Sequence, residues 1–128
     1  MLINDPATVA ELAALYPLYE AALVANDVDT LTAMFWDSPH AIRLGAGENL
    51  YGTAEIEAFR KARPSVGLAR RQLRLEIVTF GTDFGSITLE FERDTSTGPV
   101  RGRQSQVWAR LPEGWRITQA HVSILPKS

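Results

Sequence analysis

The sequence predicts an α+β domain in which three N-terminal helices cover one face of a curved antiparallel sheet. Two observations predict it. Apolar residues recur at helical spacing through the first half, and from about Leu68 onward they alternate with polar ones, as in half-buried strands. Turn-forming clusters then divide that second half into four long strands joined as hairpins. Helices first and strands afterwards is the α+β order. The 128 residues are read as one domain, 1–128, large enough to bury a core without staples.

Asp5 before Pro6 opens the first helix, because an acceptor side chain suits the N-cap and proline's missing N–H costs nothing at the first helical position. Val9, Leu12, Tyr16, Tyr19 and Leu23 form its inner stripe, with Glu11 and Glu20 placed outside. Pro17 predicts a kink, since it cannot donate to the carbonyl of Ala13. Asp27 caps a short second helix with Leu31, Met34 and Phe35 inward, ended by Pro39. Ala41 to Leu44 reads as a short strand, Gly45-Ala46-Gly47 as a turn, and Asn49 to Tyr51 as extended. Gly52-Thr53 starts a third helix with Ile56 and Phe59 inward, and Pro64 stops it. The strands run about Leu68 to Phe80, Gly85 to Asp94, Val100 to Leu111 and Trp115 to Leu125.

Composition excludes several classes of function. Without cysteine there is no disulfide, thiolate zinc site or thiol nucleophile. A net charge of −2 argues against nucleic-acid binding driven by counterion release. No apolar run is read as approaching the roughly 20 residues needed to span a bilayer, and the N-terminus lacks a secretory pattern, so a cytoplasmic protein without membrane contact is expected. Two histidines, His40 and His121, are too few for most metal sites, so neither metal nor cofactor is expected. Ser38 and Ser105 lack partners for a serine triad.

The unusual residues concentrate between Phe35 and Arg63, where aromatic, charged and amide side chains crowd between a helix end and a helix start. Such a mixture suits the lining of a small-molecule pocket, here the conical space between helices and sheet. Arg43, flanked by Ile42 and Leu44, falls on the face opposite to them; read from alternation alone it is an exposed strand residue, and its alternative role is to grip a carboxylate with a planar fork. Tyr19 is either core or a proton donor, and Tyr16 is read as packing. Gln104 and Gln106 share one strand face, as amide readers of a urea-like ligand or as an interface stripe. Glu48 and Asn49 either stabilise a turn or bind ligand, and Trp36 and Tyr51 close the base or rim. His121 faces the cavity or anchors the sheet, and His40 lies in a turn. Arg60, Lys61, Arg63, Arg70 and Arg71 are read as a solvated helix end. The convex sheet face, with Trp108 or Trp115, is expected to bury itself against a second copy.

Several motifs together resemble the AtzH-like family: Tyr19-Glu20-Ala21-Ala22-Leu23, Phe35-Trp36-x-Ser38-Pro39, Ile42-Arg43-x-Gly45, Glu48-Asn49-x-Tyr51-Gly52, Phe59-Arg60-x-x-Arg63-Pro64, Gly102-Arg103-Gln104-Ser105-Gln106 and Ala120-His121-Val122-Ser123. The resemblance runs from about Tyr16 to Leu125 and places the chain in the SnoaL-like, nuclear-transport-factor-two superfamily, whose AtzH-like branch includes the HpxZ-type proteins of oxalurate catabolism. It implies a conical α+β barrel, a homodimer, and a place beside amidase-type partners in the breakdown of nitrogen-rich compounds, including cyanuric acid catabolism. It further implies a cofactor-free amidohydrolase that removes an N-carboxylate from dicarboxyurea to leave allophanate, with Tyr19 and Arg43 as the functional pair. The substrate would be a small anionic amide or urea derivative, with His121 or Glu48 as base toward water. The competing reading is a non-catalytic anion-binding module or a helper subunit of an amidohydrolase. An isomerase or cyclase is the third, and would need an acidic base in the cavity.

Overall fold

The structure, a computed structural model, describes residues 1–127. Its elements in chain order are α1 (Pro6–Ala25), α2 (Val28–Met34), β1 (Ile42–Leu44), β2 (Asn49–Tyr51), α3 (Thr53–Ala62), β3 (Arg71–Phe80), β4 (Phe84–Thr95), β5 (Gly98–Leu111) and β6 (Gly114–Ile124). This is the α+β architecture that the periodicity predicts. The six strands form one open sheet in the order β2-β1-β6-β5-β4-β3. All neighbours are antiparallel except β1, which lies parallel to β6 with Arg43 opposite Ala120. That parallel pairing carries the pocket-rich segment from the middle of the chain onto the C-terminal strand.

Local chemistry explains the element ends. The Asp5 carboxylate accepts from the Thr8 backbone N–H at 3.2 Å and the Thr8 hydroxyl at 2.7 Å, occupying donors that the first helical turn leaves free. Asp27 caps α2 in the same way through Thr30. Pro17 sits inside α1 without dividing it. α2 stops at Met34, earlier than Pro39, because Phe35 turns extended (φ −92°, ψ 150°) and bridges to Ile117 of β6. Strand β3 starts at Arg71, whereas alternation places its start at Leu68; Arg70 is drawn inward by side-chain bonds described below.

The core lies between α1 and the inner face of the sheet. Leu12, Tyr16, Tyr19 and Leu23 meet Ile87, Leu89, Phe91, Trp108 and Ile117, all buried. Trp108 and Trp115, one or the other of which was expected on the convex face, are both inside: Trp108 is fully buried with its indole N–H on Gln106, and Trp115 donates to Glu11 at 3.0 Å. α1 is also long and apolar enough, by length and composition, to cross a membrane, with mean hydropathy 1.2 over its most apolar stretch, where the sequence reading expected no such run. Its apolar residues here include the stripe packed against the sheet, with Glu20 buried among them.

Candidate functional site

Arg43 is the first side chain that the fold places with purpose. In β1 it stands opposite Leu50 of β2 and Ala120 of β6, both buried, so it points inward while Ile42 and Leu44 on either side are half-buried. Only 5% of it is exposed. Its Nη1 donates to Glu48 Oε1 at 3.0 Å, and its guanidinium lies 5.6 Å from the centre of the Phe59 ring. The carboxylate of Glu48 reaches this position because Gly45 has no Cβ, whose place the carboxylate oxygen would otherwise contest. The Arg43 Nε is buried without an acceptor.

Tyr19 and Arg60 form the second group. Tyr19 is fully buried on α1, and Arg60 Nη2 of α3 donates to its hydroxyl at 3.5 Å. Arg60 has no exposed surface, stacks 5.3 Å from the centre of the Phe35 ring, and leaves its Nε and Nη1 without acceptors. Burial pushes the Tyr19 phenol up, but the charges of Arg60, Arg43 and Arg70, with the Arg60 hydrogen bond, outweigh it and hold the phenol below its ordinary value. Burial pushes Arg60 down, helped by repulsion from Arg43 and opposed by Tyr19.

The third group was hidden from sequence reasoning. Glu20, assigned to the outside of α1, is buried and accepts from the Tyr16 hydroxyl at 2.8 Å and from Arg70 Nε and Nη2 at 2.8 and 2.9 Å. Arg70 Nη2 also donates to Gln104 Oε1 at 2.9 Å, and Gln104 Nε2 donates to the Tyr16 hydroxyl at 3.0 Å. The ring of four is closed. Arg70 also lies 4.5 Å from the centre of the Phe91 ring, which itself fills the space that a Cβ at Gly102 would take. Burial and the Glu20 charge push the Tyr16 phenol well above its ordinary value. A signal for these residues was present: Glu20 follows Tyr16 by four, and Arg60 and Arg63 follow Ile56 by four and seven, which is inner-face spacing for any side chain.

The first and third of these groups line one cavity of about 170 Å³ between helices and sheet. Its polar lining is Arg43, Glu48, Arg63, Arg70, Arg93 and Gln104; Leu23, Phe91, Val122 and Ile124 supply an apolar wall. Tyr19 and Arg60 are buried and lie outside this lining. Arg63 bonds Asn26 Oδ1 at 3.1 Å and keeps its Nη2 buried without an acceptor, and burial with the charges of Arg60 and Arg43 pushes it down to about 10. Arg93 Nε is likewise buried and unpaired. Glu48 and Glu20 each pair with one guanidinium, Arg43 and Arg70, so Arg60, Arg63 and Arg93 have no carboxylate partner among the described residues. The cavity is built with an excess of positive charge.

The other residues singled out by sequence fall elsewhere. Gln106 is fully buried on the same strand face as Gln104, but its carbonyl serves Trp108. Asn49 and Tyr51 flank the buried Leu50 and so alternate to the outside, Tyr51 with 56% of its surface exposed. His121 follows the buried Ala120 and faces outward for the same reason, opposite Ser105, which leaves it outside the cavity as a base. His40 is exposed in its turn, 6.2 Å from the half-buried Trp36 ring, and neither lines the cavity. The arginines assigned to a solvated helix end divide: Lys61 and Arg71 are exposed, whereas Arg60, Arg63 and Arg70 turn inward. Among the described residues, no group of three or more His, Asp and Glu is gathered as a metal ion would require.

The sequence profile of the AtzH-like family matches residues 1–128. A protein of unknown function from the DUF3225 family of Pectobacterium atrosepticum SCRI1043 is similar at 45% identity and a TM-score of 0.92, over 97% of this chain and 95% of that one. A cystatin-like fold protein of Burkholderia xenovorans LB400 is similar at 40% identity and a TM-score of 0.90, over 100% and 99% of the two chains. An NTF2-like protein of unknown function from Pseudomonas putida KT2440 shares the fold at 15% identity and a TM-score of 0.80, over 97% of this chain and 90% of that one. No curated protein matches the chain.

Proposed function

The chain belongs to the AtzH-like family, and from that premise we propose that it is a small amidohydrolase acting on a carboxylated urea or related amide, of the type that converts 1,3-dicarboxyurea to allophanate in nitrogen-compound catabolism. The observation that carries the reading is the charge of the cavity: Arg63 and Arg93 line it without carboxylate partners, beside an Arg43 whose Nε is still free. A buried guanidinium without a counter-charge is costly, and an anionic ligand relieves that cost. A space of about 170 Å³ suits a small compact molecule.

In this reading Arg43 holds a substrate carboxylate by charge-assisted hydrogen bonds. The bond between the substrate nitrogen and its carboxyl carbon breaks with the electron pair staying on nitrogen. In this reading substrate binding opens the way from the cavity to the buried Tyr19 hydroxyl, which gives that nitrogen its proton, and the surrounding guanidiniums stabilise the phenolate left behind. The carboxyl carbon departs as carbon dioxide, or as bicarbonate once water has added to it. Glu48 is the carboxylate available in the lining to accept a proton from that water.

A second reading, an anion-binding module or helper subunit for an amidase-type partner, is favoured by one specific observation: Glu48 is already paired with Arg43. Freshly generated dicarboxyurea, followed for its loss and for allophanate, separates the two. Turnover that Arg43→Ala abolishes in a protein of verified fold supports the hydrolase. A ligand-induced rise in melting temperature without turnover, also removed by Arg43→Ala, supports the binding module instead. We also propose a cytoplasmic homodimer joined through the outer sheet face, where Arg103, Ser105, Gln119 and His121 are exposed; a monomeric mass in sedimentation equilibrium would refute the dimer.

A further inference from the structure

We propose that Arg60 is a positioning residue whose counter-charge is the Tyr19 phenolate, so that Arg60 and Tyr19 form a buried ion pair whenever the phenol gives up its proton. The inference deepens the hydrolase reading, on which its catalytic meaning rests. Its physical basis is independent of that reading. Arg60 is 0% exposed, and a guanidinium keeps its charge in proteins. A fully buried charge needs a partner, yet no carboxylate of the described residues lies within ion-pair distance of it. The side-chain oxygen that Arg60 does reach is the Tyr19 hydroxyl, at 3.5 Å, and two of its donor atoms stay unsatisfied.

The surroundings of Tyr19 make that oxygen the place where negative charge belongs. From α3 comes Arg60, and from β1 Arg43, already matched by Glu48. From the segment before β3 comes Arg70, matched by Glu20. Arg63, which follows α3, also acts on it through space, and from α1 itself come Glu20 and Tyr16, whose ring centre is 5.9 Å away. Glu20 is turned to Tyr16 and Arg70, so its charge is occupied elsewhere. Phe35 covers the guanidinium of Arg60 and keeps water from taking the phenolate's role. Arg60 steadies the phenolate that Tyr19 leaves after giving its proton away, and the cycle closes when a proton returns to that oxygen before the next turnover.

The test reads the phenols directly. Of the three tyrosines, Tyr51 is exposed, Tyr16 donates to Glu20, and Tyr19 faces Arg60. Protein carrying 13C at the tyrosine Cζ is titrated by NMR without substrate, with Tyr19→Phe used for assignment. The expected result is that Tyr19 ionises at lower pH than Tyr51. In Arg60→Gln its midpoint should rise by about one to three pH units, and Arg60→Lys should restore most of the difference. If Tyr19 in the unmodified protein titrates at or above Tyr51, the pair does not exist, and this measurement needs no Arg60 variant to fold. An unchanged Tyr19 midpoint in a folded Arg60→Gln protein overturns the proposal equally. Low-pH ionisation of Tyr19 in a protein without turnover leaves the pair standing and removes the hydrolase reading; turnover with an ordinary Tyr19 titration does the reverse.

Discussion

Tyr16 and Tyr19 stand almost one helical turn apart on the same stripe of α1, equally buried, and their hydroxyls meet opposite environments. Tyr16 belongs to a closed ring in which Glu20, Arg70 and Gln104 satisfy one another and the carboxylate charge is matched. Tyr19 meets only guanidinium, and its neighbour Arg60 keeps unfilled donors. A closed network gains nothing from a visiting ligand and serves to define the shape of the core. An open one of a single sign has free energy to gain from an arriving anion. The comparison separates a self-satisfied part of the core from an unsatisfied, cationic one.

The comparison breaks most severely at Glu20. Replacing it by alanine strands the Arg70 charge and leaves the Tyr16 hydroxyl without its acceptor; a loss of about 3–5 kcal/mol is expected in urea denaturation. Arg43→Ala acts on the other part, with turnover expected to fall about 100- to 1,000-fold in steady-state assays. Tyr19→Phe should cost about 100-fold in turnover with little change in melting temperature. Full activity of a folded Tyr19→Phe protein would exclude the phenol as donor. Tyr16→Phe should lower stability by about 1–2 kcal/mol and leave the rate per folded molecule near that of the parent.

The smallest effect is a difference in alkaline slope. Tyr16 holds its proton more tightly folded than unfolded, so its contribution is complete below the ordinary phenol value of about 10 and fades as pH climbs above it. Tyr19 is shifted the other way, so its contribution fades as pH falls through its folded value and is complete above about 10. Melting curves of the two Tyr→Phe proteins against the parent should therefore diverge in opposite senses between mildly and strongly alkaline pH. Parallel curves would mean that the two hydroxyls differ less than their partners imply.

Most of the architecture was legible because the strands alternate and the helix starts announce themselves, as at Asp5-Pro6 and Asp27. Arg43 was placed in the pocket by family resemblance where alternation alone suggested the surface; burial of Leu50 and Ala120 beside it decides the matter. The charged members of the site were the least legible. Glu20, Arg60 and Arg70 read as solvent-facing because charges are rarely buried, and each is buried here through a partner that a one-dimensional scan does not see. His121, left open between facing the cavity and anchoring the sheet, stands one residue out of phase with the inward face.

The parallel pairing of β1 with β6 bears on biosynthesis. Arg43 leaves the ribosome well before β6, the strand that holds it inward. Contacts of such long sequence separation close late and slowly. A nascent or truncated chain lacking β6 therefore has its helices and hairpins before it has an anion pocket, and ligand capture in refolding should lag behind the return of secondary structure. On the proposed function, synthesis of β6 becomes the event that switches binding on.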